Sequence, residues 1–190
     1  MTAVEQKIVY FDKPGVDNME ETLRIARQRA DELGIKTIVV ATTVGNTAAR
    51  AVEVFKGMKV IAVTHHAGFR GANTQELTEE NREKITRGGG TILTATHLFS
   101  GVGAAMRKRF TTYLLGDIVA NTLRIMGQGM KVVVEISVMA ADAGLVPTGE
   151  DCIAIAGTGR GADFAVVLRP VNSPDFFDLR IREILCKPRF

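Results

Sequence analysis

The sequence contains no tryptophan, and it has only two cysteines among 190 residues. Cys152 and Cys186 form no Cys-x-x-Cys pair and do not have zinc-ligand spacing, so neither a disulfide framework nor a structural zinc site is expected. This cysteine usage favours a reducing, cytoplasmic compartment. Aromatic residues make up only 6% of the chain. A planar ligand would therefore have to stack on phenylalanine, tyrosine or histidine.

Long apolar runs and a strong charge of one sign are also absent. No stretch approaches the roughly 18 consecutive apolar residues of a membrane span, and the first seven residues lack a signal-peptide pattern. The net charge of +3 suits an anionic ligand but is too small to indicate nucleic acid. We therefore expect a cytoplasmic protein with neither a membrane nor a nucleic-acid partner.

The first half of the chain alternates between strand patterns and helix patterns. Apolar and β-branched runs predict strands over 8–11, 37–41, 60–63 and 91–95. Helical periodicity predicts helices over 19–33, 47–55 and 78–87, with Asn18 and Glu21 as a capping box and Gly34 as the stop of the first. This order predicts one α/β domain over residues 1–190, a mostly parallel sheet covered by helices on both faces.

The second half is less regular. A helix is predicted over 113–126, and the segment 132–143 fits a strand or a helix, with its length favouring helix. Strand patterns at 152–156 and 164–168 flank a glycine-rich loop that would permit a hairpin, and hence an antiparallel late strand. Ser173-Pro174 predicts the start of a C-terminal helix that runs through Leu185.

The loop after the second strand has the parts of a phosphate site. Helix N-termini offer unpaired N–H groups and the positive end of the helix dipole, and hydroxyl side chains add donors. A simple helix N-cap explains the same residues about equally well, and no nucleotide-hydrolysis motif is present. The candidate residues in this loop are Thr42, Thr43, Gly45, Asn46 and Thr47.

Histidines follow the third and fourth strands. His65 and His66 precede Gly68 and Phe69, and His97 follows the fourth strand. A zinc site is the less favoured interpretation, because adjacent histidines point in different directions and no carboxylate or cysteine accompanies them. We expect His65, Gly68 and Phe69 to contact a ligand instead.

Two further glycine-rich loops are candidates. Gly101-x-Gly103-x-x-Met106 is an incomplete dinucleotide-binding fingerprint. The basic run 107–109 follows it, and we slightly favour solvated surface over an anion site as its explanation. The loop between the late strands is either a hairpin tip or a ligand loop in which an arginine clamps a phosphate. Its candidate residues are Gly157, Thr158, Gly159, Arg160 and Gly161. Glu135 and Asp142 are too isolated to be an acid/base pair.

The segment 37–50, followed by 60–64, resembles the C-terminal domain of pyruvate kinase, in which a strand, a Ser/Thr/Gly loop and a helix bind effector phosphate. The segments 144–151, 153–157 and 161–169 look like the end of the same domain. The resemblance implies a three-layer αβα sandwich. It also implies that Thr42, Thr43, Gly45, Asn46 and Thr47 form the phosphate loop and that Gly157, Gly159 and Gly161 belong to the late effector loop.

The resemblance is to stand-alone archaeal proteins of this domain type, a group associated with FMN. It therefore implies FMN as the cofactor, whereas composition and spacing imply only a phosphate. Pyruvate kinase carries its catalysis in a barrel domain without a counterpart in this sequence, so no pyruvate kinase activity is expected. The alternative function is a non-catalytic sensor or allosteric module for a sugar phosphate or nucleotide. The sequence leaves open whether the chain forms a homo-oligomer.

Overall fold

Strands and helices alternate along the chain in the computed structural model, which describes residues 3–189. Met1, Thr2 and Phe190 of the predicted domain lie outside the described residues. The described strands are β1 Val9–Phe11, β2 Thr37–Ala41, β3 Lys59–Thr64, β4 Thr91–Thr94, β5 Cys152–Ala156, β6 Phe164–Arg169 and β7 Arg180–Pro188. The described α-helices are α1 Met19–Leu33, α2 Asn46–Val54, α3 Glu79–Arg87, α4 Gly101–Phe110, α5 Leu115–Arg124 and α6 Gln128–Asp142.

The strands form one sheet in the order β1-β7-β6-β5-β2-β3-β4. Only β6 runs opposite to its neighbours, pairing antiparallel with β5 and with β7, while the other neighbouring pairs are parallel. The mostly parallel sheet and the late antiparallel strand are therefore confirmed. The strand order reverses beside β2, since the chain moves from β2 to β3 on one side and returns to β5 on the other.

Helices cover both faces of the sheet, as the strand–helix alternation predicts. Alternate residues of the central strands point to opposite faces. Ile38 and Val40 pack in a core with α1, α2 and α3, whereas Val39 packs in a second core with α6. The chain thus forms the expected three-layer αβα sandwich.

Two local predictions are wrong. The capping box at Asn18 does not form, because the Asn18 side chain donates a hydrogen bond to the Lys13 carbonyl and a 3-10 turn at Val16–Asn18 leads into α1. The C-terminal helix is also absent: Ser173–Asp178 is a short 3-10 segment, and β7 follows it. Pairing with β6 and β1 on its two sides makes the strand the better conformation for this segment.

Candidate ligand-binding site

The carboxyl ends of β2 and β5 meet at the place where the strand order reverses. Open α/β sheets bind ligands in the crevice outside the carboxyl ends of their strands at such a point. The loop after β2 carries the predicted phosphate residues, the loop after β5 lies on one side of it, and the loop after β3 lies on the other. The topology therefore brings three of the predicted loops to one edge of the sheet.

A cavity of about 340 Å³ opens at this edge. Its walls come from the loops after β2, β3, β4 and β5, from α4 and α5, and from one side of α6. The volume lies within the range of roughly 300–1,000 Å³ that is typical of small-molecule sites. The cavity is the place where a ligand would contact several loops at once.

The threonines of the loop after β2 line this cavity. Thr42 and Thr47 are nearly buried, and Thr43 is partly buried. The Thr42 N–H donates a hydrogen bond of 2.9 Å to the Val63 carbonyl, so it is not free for a ligand. Within α2, the first backbone N–H that donates to a carbonyl of the preceding turn is that of Ala49, and its acceptor is the Gly45 carbonyl. The amides before Ala49 in the first turn therefore have no helical acceptor, which is the arrangement that favours an anion.

Gly45 and Asn46 face α3 instead of the cavity. Gly45 has a φ of 110°, and a Cβ built on it would lie 2.3 Å from the Asn81 Cβ and 2.7 Å from a methyl carbon of Leu77. Asn46 accepts a hydrogen bond of 2.8 Å from the Asn81 side chain, which also donates to the Val44 carbonyl. In the structure, the lack of a side chain at Gly45 allows α2 and α3 to pack closely together.

Aromatic rings from two loops form a cluster at one wall. The rings of His65 and Phe69 lie with their centroids 4.0 Å apart, and His97 lies 5.3 Å from Phe69 and 5.4 Å from His65. His65 Nδ1 and Glu76 are 2.6 Å apart in a hydrogen bond. Burial lowers the pKa of His97, although Glu135 opposes the shift. The lowered pKa favours the uncharged form of the His97 ring.

The β5–β6 loop supplies an arginine and three glycines to the opposite side. Gly157, Gly159, Arg160 and Gly161 line the cavity. Two of these glycines also have packing roles, since a Cβ on Gly157 would lie 2.4 Å from the Gly161 carbonyl oxygen, and one on Gly161 would lie 2.5 Å from the backbone of Gly15. Arg160 is exposed, so its guanidinium is available at the rim.

A stripe of α6 forms the remaining wall. Positions three and four apart lie on one face of a helix, and the α6 residues at the cavity follow this spacing: Gln128, Lys131, Val132, Glu135, Ile136 and Met139. Lys131 and Glu135 are buried and form an ion pair. The pKa of Lys131 is lower than usual because the residue is buried, and the nearby Glu135 carboxylate opposes this shift.

A second ion pair borders the cavity between α4 and α5. Arg107 pairs with Asp117, whose other oxygen accepts a hydrogen bond from the Leu114 N–H. Arg124 also lines the cavity and donates to Gln128 and Asn121. Together with Lys131 and Arg160, four cationic side chains and two carboxylates surround the space, so the local charge favours an anion.

Several predicted site residues lie elsewhere. Among the described residues that line the cavity, Gly45, Asn46, Gly68, Gly101 and Thr158 do not appear. No group of three or more histidine, cysteine, aspartate or glutamate side chains within residues 3–189 is arranged to hold a metal ion. In the same part of the chain, no helix combines the length and apolarity needed to cross a bilayer.

Sequence reasoning missed the contributions of α4, α5 and α6. The predicted helix at 132–143 began one residue after Lys131, so the pairing of Lys131 with Glu135 across one helical turn went unseen. The signal was present, because two opposite charges four apart inside an apolar helix indicate a polar wall of a cavity. Arg107, by contrast, was assigned to a solvated basic run. Only Lys108 and Arg109 of that run are exposed.

The fold is that of an α/β domain with a cavity at the point where the strand order of its sheet reverses. The chain belongs to the family of the pyruvate kinase alpha/beta domain, whose model matches residues 20–168.

Solved structures with a similar fold include a pyruvate kinase from Cryptosporidium parvum, with a TM-score of 0.43, 16% identity, and coverage of 83% of this chain and 23% of that one. The pyruvate kinase of this organism in complex with ADP has a TM-score of 0.42 at 16% identity, over 83% of this chain and 24% of that one. The chain therefore spans about a quarter of the length of these pyruvate kinases.

Proposed function

We propose that the cavity binds a phosphorylated small molecule, with the phosphate at the N-terminus of α2 and FMN as the favoured ligand. The observation that supports the proposal is the position of the Thr42, Thr43 and Thr47 side chains. They line the cavity beside the first turn of α2, whose amides have no helical acceptor, at the place where the strand order of the sheet reverses. Arg160, on the adjacent loop, provides a cation for the phosphate oxygens.

The walls of the cavity suit the remainder of FMN. His65, Phe69 and His97 provide flat faces against which a flavin ring would pack. Burial lowers the pKa of His97 and so favours its uncharged form, in which it would contact the ring without adding a positive charge. When bound, FMN would supply electron-transfer chemistry, and the residues of this chain would bind it, orient it and exclude water from one of its faces.

A sensor or allosteric module for a sugar phosphate or nucleotide is the alternative. One observation favours it: the His65 and Phe69 rings lie 4.0 Å apart, so they leave no space between them for another ring. The polar side chains around the cavity would also suit the hydroxyl groups of a sugar.

The visible absorption of the freshly purified protein is the first test. We expect flavin absorption, and we expect added FMN to raise the melting temperature of flavin-free protein. A colourless protein that is stabilised by a sugar bisphosphate and not by FMN would establish the alternative. A protein that neither compound stabilises would overturn the proposal of a phosphate site.

Removing hydroxyl groups from the phosphate loop tests the placement of the phosphate. Thr43→Val and Thr47→Val should each weaken FMN binding about 10- to 100-fold, since hydrogen bonds to charged groups contribute about 1.5–3 kcal/mol. Isothermal titration calorimetry measures the affinities. Thr86→Val is the matched control, because Thr86 is exposed on α3 and its hydroxyl bonds only to the Arg82 carbonyl among the described residues. Unchanged affinity in both loop variants would place the phosphate elsewhere.

A further inference from the structure

Lys131 and Glu135 form a buried ion pair on the face of α6 that lines the cavity. Lys131 is 8% exposed and Glu135 is 4% exposed. The Lys131 ammonium donates to Glu135 Oε2, and Glu135 Oε1 accepts a hydrogen bond of 3.2 Å from the Phe99 N–H. The ammonium also lies 5.5 Å from the centroid of the Phe99 ring. Groups from two parts of the chain thus hold the pair in place.

The pair retains hydrogen-bonding capacity toward the cavity. An ammonium has three donors, and each carboxylate oxygen has two lone pairs. Within residues 3–189, Glu135 is the hydrogen-bond acceptor of the Lys131 ammonium, and each oxygen of Glu135 accepts one hydrogen bond. At least one donor and one acceptor therefore remain side by side at the wall.

The pair does not favour a second anionic group. Its two charges cancel, and an uncompensated third charge in a buried position would be costly. Burial also lowers the pKa of His97 and so disfavours a positive charge on its ring. By contrast, Arg124 and Arg160 are exposed, and neither forms an ion pair with a described carboxylate. The cavity is therefore cationic at its rim and neutral at the wall formed by Lys131 and Glu135.

We infer that the Lys131–Glu135 pair binds the hydrogen-bonding edge of a ring in the ligand. Lys131 Nζ donates to a ring carbonyl oxygen, and a Glu135 oxygen accepts from the adjacent ring N–H. The imide edge of a flavin or a uracil ring presents this acceptor and donor side by side in one plane, whereas a sugar phosphate offers separate hydroxyl groups with no fixed donor and acceptor pattern. The inference rests on the proposed phosphate site and narrows its ligand to phosphorylated compounds that carry such an edge.

A change in the ligand tests the inference on the unmodified protein. Calorimetric titrations with FMN, FMN methylated at the imide nitrogen, and ribose 5-phosphate separate the contributions of ring edge and phosphate. Methylated FMN should bind about 10- to 100-fold more weakly than FMN, because the donor to a charged acceptor is lost. Equal affinities for FMN and methylated FMN would overturn the inference.

Ribose 5-phosphate distinguishes the two proposals. If it binds as tightly as FMN, the phosphate site stands and recognition of the ring edge is overturned. If none of the three compounds binds, the proposed function is overturned together with the inference.

A paired substitution tests the residues themselves. Lys131→Met with Glu135→Met removes both charges, so no lone charge stays buried. The ratio of the affinities for FMN and methylated FMN should fall to about one. The control is Glu80→Met with Lys84→Met, an exposed pair with the same spacing on α3, which should keep the wild-type ratio. An unchanged ratio in the Lys131/Glu135 variant would overturn the inference. If circular dichroism shows that this variant is unfolded, the ligand comparison on the wild type decides.

Discussion

Asp163 carries a carboxyl group in a position where water does not reach it. The residue has no exposed surface, and its Oδ2 accepts a 2.9 Å hydrogen bond from the Gly15 N–H. Burial raises the pKa of Asp163, although the bond from Gly15 opposes the shift. A carboxyl whose pKa is higher in the folded state favours folding at low pH. That contribution is lost as the pH rises through the folded-state pKa.

Asp163→Asn removes this titration and keeps an acceptor for Gly15. Relative to wild type, the variant should gain free energy of unfolding as the pH rises from about 4, near the ordinary aspartate pKa, toward 7. Urea unfolding at a series of pH values measures the difference. Asp12→Asn, at an exposed position, controls for the loss of one carboxylate. A difference that does not change with pH in Asp163→Asn would contradict the raised pKa.

The buried pair on α6 gives a second prediction at this scale. Lys131→Met alone should lower the free energy of unfolding by about 3–5 kcal/mol, because it leaves Glu135 buried and unpaired. The double replacement by methionine should be close to wild type or more stable, since no charge remains to be desolvated. Chemical denaturation of the three proteins provides the comparison. Equal losses in the single and double variants would show that packing, and not charge, governs this position.

At the scale of elements, α2 and α3 approach closely at one glycine. Because Gly45 has a positive φ and its missing Cβ would overlap Asn81 and Leu77, only glycine satisfies both the backbone and the packing. Thr78, the N-cap of α3, also donates its N–H to the Val44 carbonyl. The loop after β2 thus packs against α3 and is held by it.

Gly45→Ala should therefore destabilise the fold more than Gly34→Ala. Gly34 also has a positive φ, but a Cβ there meets open space, so its cost should be about 1–2 kcal/mol from the backbone alone. The overlap at Gly45 should add about 1–3 kcal/mol. Thermal unfolding of the two variants tests the order. Equal melting temperatures would mean that α3 yields to the new methyl group at little cost.

Element prediction from sequence succeeded where periodicity and packing agree. The helix at Met19–Leu33 and the strand at Thr37–Ala41 have the predicted bounds. β7 was missed because one of its two partner strands is β1, at the other end of the chain, and no local pattern reveals such a pairing. α4 was missed because it begins at two glycines and buries none of its residues, so it lacks the apolar stripe that marks a helix.

At the scale of the whole molecule, the edge of the sheet at which the cavity opens could be predicted, but not all of the cavity walls. Strand order places Thr42 and Gly157 at one crevice, and the rule for open sheets then locates the cavity. The contributions of Lys131 and Arg107 depend on how α6 and α4 pack, which the spacing of apolar residues does not determine. The sequence therefore predicts which strand-end loops lie at the cavity, but it does not predict which helix faces line it.

The chain should form no ATP from phosphoenolpyruvate and ADP. The family match is to the alpha/beta domain and covers residues 20–168. Residues 3–189 build one sheet with helices on its two faces, so a catalytic barrel has no place among them. A coupled assay for pyruvate, with an active pyruvate kinase as the positive control, measures the rate. Turnover above background by the pure protein would refute this expectation.

One consequence concerns how quickly the cavity can exchange its contents. α4 borders the cavity through Arg107 and buries none of its own residues. Its first residue, Gly101, and the residue after its end, Thr111, both have positive φ. Displacing α4 would therefore expose no buried residue of the helix itself and would break the Arg107–Asp117 ion pair. Local openings of this kind need far less free energy than global unfolding. We therefore expect the residence time of a bound molecule to depend more on the Arg107–Asp117 ion pair than on the stability of the sheet.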